Sequence, residues 1–343
     1  MKFIFKLFVS YFIFVNQLVA QDFIFSNYSY AGYYINPALP SLVEEDIRVQ
    51  SKFRGQWETF ANAYKTVTTS VDFNPLNIDT RFCGKKLVIS PQIIQDMSGS
   101  LKMSVTSLNL NIAYSQFLDK HYKSQLMMGL QAGYSFRSID LSKAKVGSEF
   151  FNSGETVQLS DPHLMSKSNY INLAAGLGMA FYPNNHFNYS IGASAYNLLG
   201  QNITFYDNGE SKENARYVGY FNTNYRFNDI NSLNGYLIFQ MQGPFKSYTG
   251  GATWGMNFGK QQHGEWVNEM FFGGGIRWND AIIATLGYGN EKFTFAFNYD
   301  FNYSKLIRSS RSVGAFELSF AYRTDWFKSD QKCPKPINCT TFR

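Results

Sequence analysis

The chain has 343 residues with 31 Lys plus Arg against 25 Asp plus Glu, a formal net charge of +6. Aromatic residues make up 18% and charged residues only 16%, where an average soluble domain carries about 25% charged. This aromatic content excludes disorder. The mean hydropathy of -0.25 leaves no room for a bundle of spans of about 20 apolar residues each, and three cysteines are too few for a disulfide scaffold.

The N-terminus carries Lys2 and Lys6, then an apolar run from Leu7 to Val15. Asn16 and Gln17 break the run, and Ala20 puts a small residue before Gln21. This is the layout of a secretory signal peptide over residues 1–20. Its removal lowers the net charge from +6 to +4. Residues 21–46 follow as a segment rich in Tyr and Phe, expected either to lie on the periplasmic side or to plug a barrel mouth.

From residue 47 one theme repeats. Segments of about ten residues alternate polar and apolar and are separated by turn residues; strand side chains alternate faces, so each face has its own character. Between Ile47 and Trp57, Arg48, Gln50, Lys52, Arg54 and Gln56 share one face. Phe293, Phe295, Phe297, Tyr299, Phe301 and Tyr303 form an aromatic face opposite Thr294, Ala296, Asn298, Asp300 and Asn302. Fourteen such segments are predicted, near 47–57, 64–73, 85–93, 103–117, 123–138, 168–181, 187–197, 215–227, 234–243, 247–258, 267–277, 281–288, 291–302 and 313–323. A soluble barrel needs an apolar interior. Here the apolar face is aromatic and the opposite face carries charge, the inverted pattern of a membrane barrel. The prediction is an all-β transmembrane outer-membrane β-barrel of about 14 antiparallel strands over 47–323, both termini periplasmic, with a periplasmic tail at 324–343. The longest connections, near 139–167 and 198–214, then fall outside, and the short ones at 118–122, 182–186 and 289–290 fall in the periplasm.

Little in the chain suggests chemistry. His121, His163, His186 and His263 all fall in predicted turns or loops, with no metal-ligand spacing and no H-E-x-x-H. The run Gly273-Gly274-Gly275 lacks the Gly-Lys-Ser/Thr ending of a phosphate loop. No catalytic, cofactor-binding or metal-ligating residue is assigned, and no cofactor is expected. Cys83, Cys333 and Cys339 all map to the periplasmic side, which permits disulfides. A local Cys333–Cys339 bridge and a bridge from Cys83 to either tail cysteine are both open, and the odd count leaves one thiol over. By parity, Arg48, Lys52, Arg54, Arg216, Arg226, Glu269, Arg277, Asp300 and Glu317 point into the lumen. Buried charges must be paired or wet, so this mixed set suggests a salt-bridged interior in preference to an ion-selective pore. Phe23, Phe25, Tyr28, Tyr30, Tyr33 and Tyr34 offer a candidate periplasmic interface.

Several short motifs, in order along the chain, resemble the PorP/SprF family. They are Ala31-Gly32-Tyr33-Tyr34-Ile35-Asn36-Pro37-Ala38-Leu39-Pro40, with Leu39-Pro40 where the family usually has a small-residue turn, after the opening Gln21–Tyr30, then Arg54-Gly55-Gln56-Trp57, and Asp96–Leu101 (DMSGSL). Further on come Asn298-Tyr299-Asp300 with Ser304-Lys305-Leu306, Gly314-Ala315-Phe316-Glu317-Leu318, and the tail with Cys333-Pro334. The resemblance implies a 14-stranded outer-membrane barrel of the type IX secretion and gliding motility system. Such a barrel is non-enzymatic. It would dock, export or anchor a secreted surface protein of adhesin type and connect it to periplasmic machinery. Its expected partners are that cargo, type IX components and outer-membrane lipid, with no nucleic acid and no small-molecule substrate. A passive porin or uptake channel is the competing expectation.

Overall fold

The computed structural model describes residues 24–26, 32–56, 64–75, 84–99, 101–141, 164–207, 209–262, 265–304 and 313–325. Fourteen antiparallel strands close into a barrel. They are β1 (Ile47–Gln56), β2 (Tyr64–Phe73), β3 (Lys85–Ser98), β4 (Met103–Phe117), β5 (Ser124–Ser138), β6 (Lys167–Asn184), β7 (Phe187–Tyr196), β8 (Arg216–Arg226), β9 (Asn231–Gln242), β10 (Phe245–Gln262), β11 (Glu265–Arg277), β12 (Ala281–Asn290), β13 (Phe293–Asn302) and β14 (Val313–Thr324). Each strand pairs with its sequence neighbours, and β1 closes on β14 from Ile47 opposite Thr324 to Gln56 opposite Ala315. Closure leaves no unpaired sheet edge, which a bilayer core requires. An even strand count brings Ile47 and Thr324 to the same end, here called the near end. β5 and β7 end, and β6 and β8 begin, at the opposite, far end.

Burial confirms the inverted pattern. Leu130 is 67% exposed and Leu177 and Leu237 are each 60% exposed, whereas Lys52 is 1% and Glu317 is 0% exposed. Along β13 the aromatic residues Phe293, Phe295, Phe297 and Phe301 face outward, and Thr294, Asn298, Asp300 and Asn302 are buried. Such a surface is stable only against hydrocarbon. The strands match the predicted segments closely, with one clear difference: β3 runs on to Ser98, where the sequence suggested an end near residue 93. Pro91 and the adjacent Ile93-Ile94 blur the alternation there, yet the ladder to β4 continues to Ser98 opposite Met103.

The lumen is not empty. The described residues before β1, 24–26 and 32–46, lie lengthwise within it, with a one-turn helix α1 (Gly32–Ile35) and a 3-10 turn at Leu39–Leu42. Ser26 sits in the far half, bonded to Asp300 and Arg277 late in β13 and β11. The Val43 carbonyl sits near the start of β3, where the Lys86 ammonium donates to it. Tyr33, Tyr34, Ile35, Ala38, Leu39 and Leu42 are all buried. Local turns satisfy the carbonyls of Gly32, Asn36, Ala38 and Pro40, but such a segment cannot satisfy all its carbonyls itself, and unpaired buried carbonyls are costly. The wall therefore supplies the donors. Tyr196 Oη, Arg216 Nη1, Ser194 Oγ, Asn111 Nδ2, Ser115 Oγ and Lys86 Nζ donate respectively to the carbonyls of Tyr33, Tyr34, Ile35, Pro37, Ser41 and Val43.

The tightest contact is at Asn36-Pro37. Asn36 Nδ2 donates to the carbonyls of Leu177 and Ala193, which face each other across β6 and β7, while its Oδ1 accepts from the Ala38 N–H. Two wall glycines make this approach feasible. A Cβ on Gly129 would lie 2.2 Å from the Pro37 carbonyl carbon, and one on Gly176 would lie 2.0 Å from Asn36 Oδ1. The obstruction at Gly129 is backbone and cannot rotate away. Gly129→Ala is therefore expected to lift the segment from its seat and lower stability by about 1–3 kcal/mol, the usual scale for overpacking. Thermal unfolding in detergent, read with limited proteolysis of the N-terminal segment, checks this; an unchanged transition and unchanged cleavage would contradict the packing described.

Candidate functional site

β1 and β14 are ladder neighbours, and Arg54 stands directly opposite Glu317. Both side chains point inward by strand parity, so a cross-strand ion pair is the geometric default. Arg54 Nη1 lies 2.5 Å from Glu317 Oε1, and Lys52 Nζ lies 3.0 Å from Glu317 Oε2. Asp300 lies on the inward face of β13, in unbroken register with β12 and opposite the extra residue that β14 carries between Val313 and Phe316. Its Oδ2 accepts from Arg54 Nη2 at 3.2 Å and Arg277 Nη2 at 2.9 Å. Arg277 also reaches the more exposed Asp280 at 3.0 Å. Lys52, Arg54 and Arg277 are thus balanced by Asp280, Asp300 and Glu317, with no net charge.

Ser26 is the keystone of this cluster. Its N–H donates to Glu317 Oε1 at 2.7 Å, and its hydroxyl donates to Asp300 Oδ2 at 2.7 Å. The same oxygen accepts from Arg54 Nη1 at 3.0 Å and Arg277 Nη2 at 2.6 Å. One donor and two acceptor lone pairs exhaust a serine hydroxyl. Next to it, Phe25 places its ring 4.3 Å beneath Lys52 Nζ and packs edge-on against Tyr34. Arg216 lies between Tyr34 and Tyr196, with its guanidinium carbon 3.7 and 4.2 Å from the two ring centroids. The lumen charges thus hold the N-terminal segment as well as one another.

Of the nine residues expected in the lumen network, Lys52, Arg54, Arg277, Asp300 and Glu317 form this cluster. Arg48 belongs to a separate pair, its Nε 2.7 Å from Asp72 Oδ2. Arg216 is engaged with the N-terminal segment. Arg226 and Glu269 are half-buried near the opposite ends of their strands from the cluster and are not part of it. Asp72 was not singled out from the sequence, although the inward face of β2, Thr66, Thr68, Ser70 and Asp72, is buried throughout. Ser26 carried no sequence signal. Among the six aromatic residues expected at a periplasmic interface, Phe25, Tyr33 and Tyr34 are buried inside the barrel. Phe23, Tyr28 and Tyr30 lie outside the described residues, as do residues 1–20, Cys83, Cys333, Cys339 and the tail beyond 325. Among the described residues no group of three or more His, Cys, Asp or Glu could hold a metal ion.

The far end carries a second organised feature. The 197–215 connection folds back on itself, with the Ile203 N–H donating to the Ser211 carbonyl and that of Glu213 to Gln201. It joins the end of the preceding long connection through the Met165 N–H and the Phe205 carbonyl. Arg137, late in β5, braces it by donating to the Ile203 carbonyl at 2.7 Å, with its guanidinium over the Phe205 ring. The described part of the 197–215 connection is thus held in place by the barrel.

Removing one anion from the cluster leaves buried cations without a partner. Glu317→Gln is expected to cost about 3–5 kcal/mol. Adding Lys52→Met should recover part of that loss, since the two effects share a partner. Additive losses in a double-mutant cycle of detergent unfolding would contradict the coupling.

The sequence matches the family described as Type IX secretion system membrane protein PorP/SprF over residues 18–322. No curated protein matches it. Among solved structures it is similar to a Pseudomonas aeruginosa FadL homologue, at 10% identity and a TM-score of 0.49, over 84% of this chain and 92% of that one. It is also similar to the Ralstonia pickettii toluene transporter TbuX, at 10% identity and 0.47, over 86% and 93%. The Pseudomonas putida toluene transporter TodX aligns at 7% identity and 0.48, over 90% and 96%. At these identities the likeness is one of fold alone.

Proposed function

The chain belongs to the PorP/SprF family of type IX secretion system membrane proteins, and from that premise we propose that it is a non-enzymatic outer-membrane component that docks, exports or anchors a secreted cell-surface protein. In this reading the cargo is of adhesin type, and the barrel links it to periplasmic machinery. The signal peptide 1–20 is removed, the far end faces outside, and the near end faces the periplasm. The observation that carries the proposal is the occupied lumen. Ser26 is locked into the Lys52–Arg54–Arg277–Asp300–Glu317 cluster, and residues 32–43 fill the axis below it. A barrel filled by its own chain works through its two ends. The far end supports this, because the 197–215 connection is shaped before any partner arrives, and preorganised loops lower the ordering cost of binding.

The alternative, a passive porin or uptake channel, needs a water-filled path. The segment gripped through six carbonyls and a neutral ion cluster weighs against it.

The test is a pull-down of the full-length protein from its own membranes in mild detergent, followed by mass spectrometry. Co-purification of a large secreted surface protein or of type IX components is the expected result. A clean barrel with no stable partner would overturn the docking role.

A further inference from the structure

Between the N-terminal segment and the far-end connection lies a cavity of about 160 Å³. Tyr33 and Tyr34 form its floor, Ile203 and Glu213 border the far side, and the inward faces of β3 to β6 make its wall. It is separate from the Ser26 ion cluster. We propose that this cavity binds a neutral pyranose, a single sugar unit.

Four features of the cavity select that chemistry. The first is size: a cavity of roughly 150 Å³ holds a molecule such as benzene, so the space here limits an occupant to a single ring unit. The second is charge. The ionic side chains in the lining are Asp96, Glu213, Arg137 and Arg216, two of each sign, so an ion of either sign would meet a like charge as well as an opposite one. The third is polarity. Tyr33 Oη, Arg137 Nε and Asn172 Oδ1, all on lining side chains, are buried without a protein partner. Buried polar groups are costly unless hydrogen-bonded, which favours an occupant bearing its own hydroxyls over a hydrocarbon. The fourth is shape. Tyr33 and Tyr170 give apolar ring surface beside the amides of Gln92, Asn109 and Gln131, the pairing of apolar wall and few placed polar groups that orients small ligands. The same unit could arrive as a free saccharide or at the end of a lipid-linked glycan.

Saturation-transfer NMR on the full-length protein in detergent tests this. The probes are methyl glycosides of glucose, galactose and N-acetylglucosamine, a short free oligosaccharide, and purified lipopolysaccharide, with toluene and phosphate as the apolar and anionic comparisons. Saturable transfer to at least one glycoside is expected. Competition by the oligosaccharide or by the lipopolysaccharide identifies which source is taken up. Val105 is half-buried in the lining, and Val105→Trp fills the space without removing a side-chain hydrogen bond; it should abolish binding with an unchanged thermal transition. If that variant fails to fold, Ile94→Phe on the same lining serves the same purpose. No glycoside transfer, preference for toluene or phosphate, or binding that survives the filled cavity would each overturn the proposal and leave a cavity holding water only.

Discussion

The structure depends on how charge is buried inside a membrane barrel. Lys52, Arg54, Arg277, Asp300 and Glu317 are nearly inaccessible to solvent. Taking a single ion out of water costs several kcal/mol even after relaxation. Opposite charges must therefore be held together there, and with Asp280 at the edge of the cluster three cations meet three anions. The matching needs strand register, since Arg54 meets Glu317 across the β1–β14 seam that closes the barrel. It also needs the inward parity of β13, which sets Asp300 beside Arg54 and Arg277. The ion cluster therefore bridges the one ladder that joins the first strand to the last. Barrel closure and charge neutralisation occur at the same place.

The N-terminal segment enters through the same requirement. Ser26 adds a further donor to Glu317, beside Arg54 and Lys52, and a hydroxyl shared by Asp300, Arg54 and Arg277. Further down, the wall's Asn, Ser, Arg and Lys side chains find acceptors in the segment's main-chain carbonyls. Each side needs the other. A polar lumen wall is satisfied by an irregular chain, and an irregular chain is satisfied by a polar wall. This reciprocity explains how a segment with only one helical turn stays ordered, and why the wall thins to glycine where Pro37 passes Gly129. The result is a barrel whose interior is largely filled by its own chain.

Much of this was legible in the sequence. Alternation over fourteen segments gave the barrel, because strand periodicity maps directly onto lipid and lumen. Parity placed Arg54, Asp300 and Glu317 inside together. The motifs behind the family resemblance also converge: Asn36-Pro37-Ala38 is the gripped part of the segment, while Arg54, Asp300 and Glu317 meet at Ser26. What stayed hidden was the path of the chain before β1. Its aromatic residues read equally well as an exposed interface, because burial inside a polar lumen leaves no hydrophobic period. Ser26 was invisible for the same reason, since its role comes from four long-range contacts and no local pattern. Asp72 was missed because a single acid in the Thr/Ser face of β2 looks like ordinary lumen polarity. The difference at β3 arose from Pro91, which reads as a breaker but here faces outward in a strand whose ladder to β4 is continuous.

The central claim is that buried charges hold the N-terminal segment in place and that this segment closes the barrel. Single-channel recording in planar bilayers tests it most directly, on the wild-type protein and on the double variant Asp300→Asn, Glu317→Gln. A quiet wild type and a variant that opens to ions are predicted. Steady, open-pore conductance from the wild type, unchanged in the variant, would contradict the account.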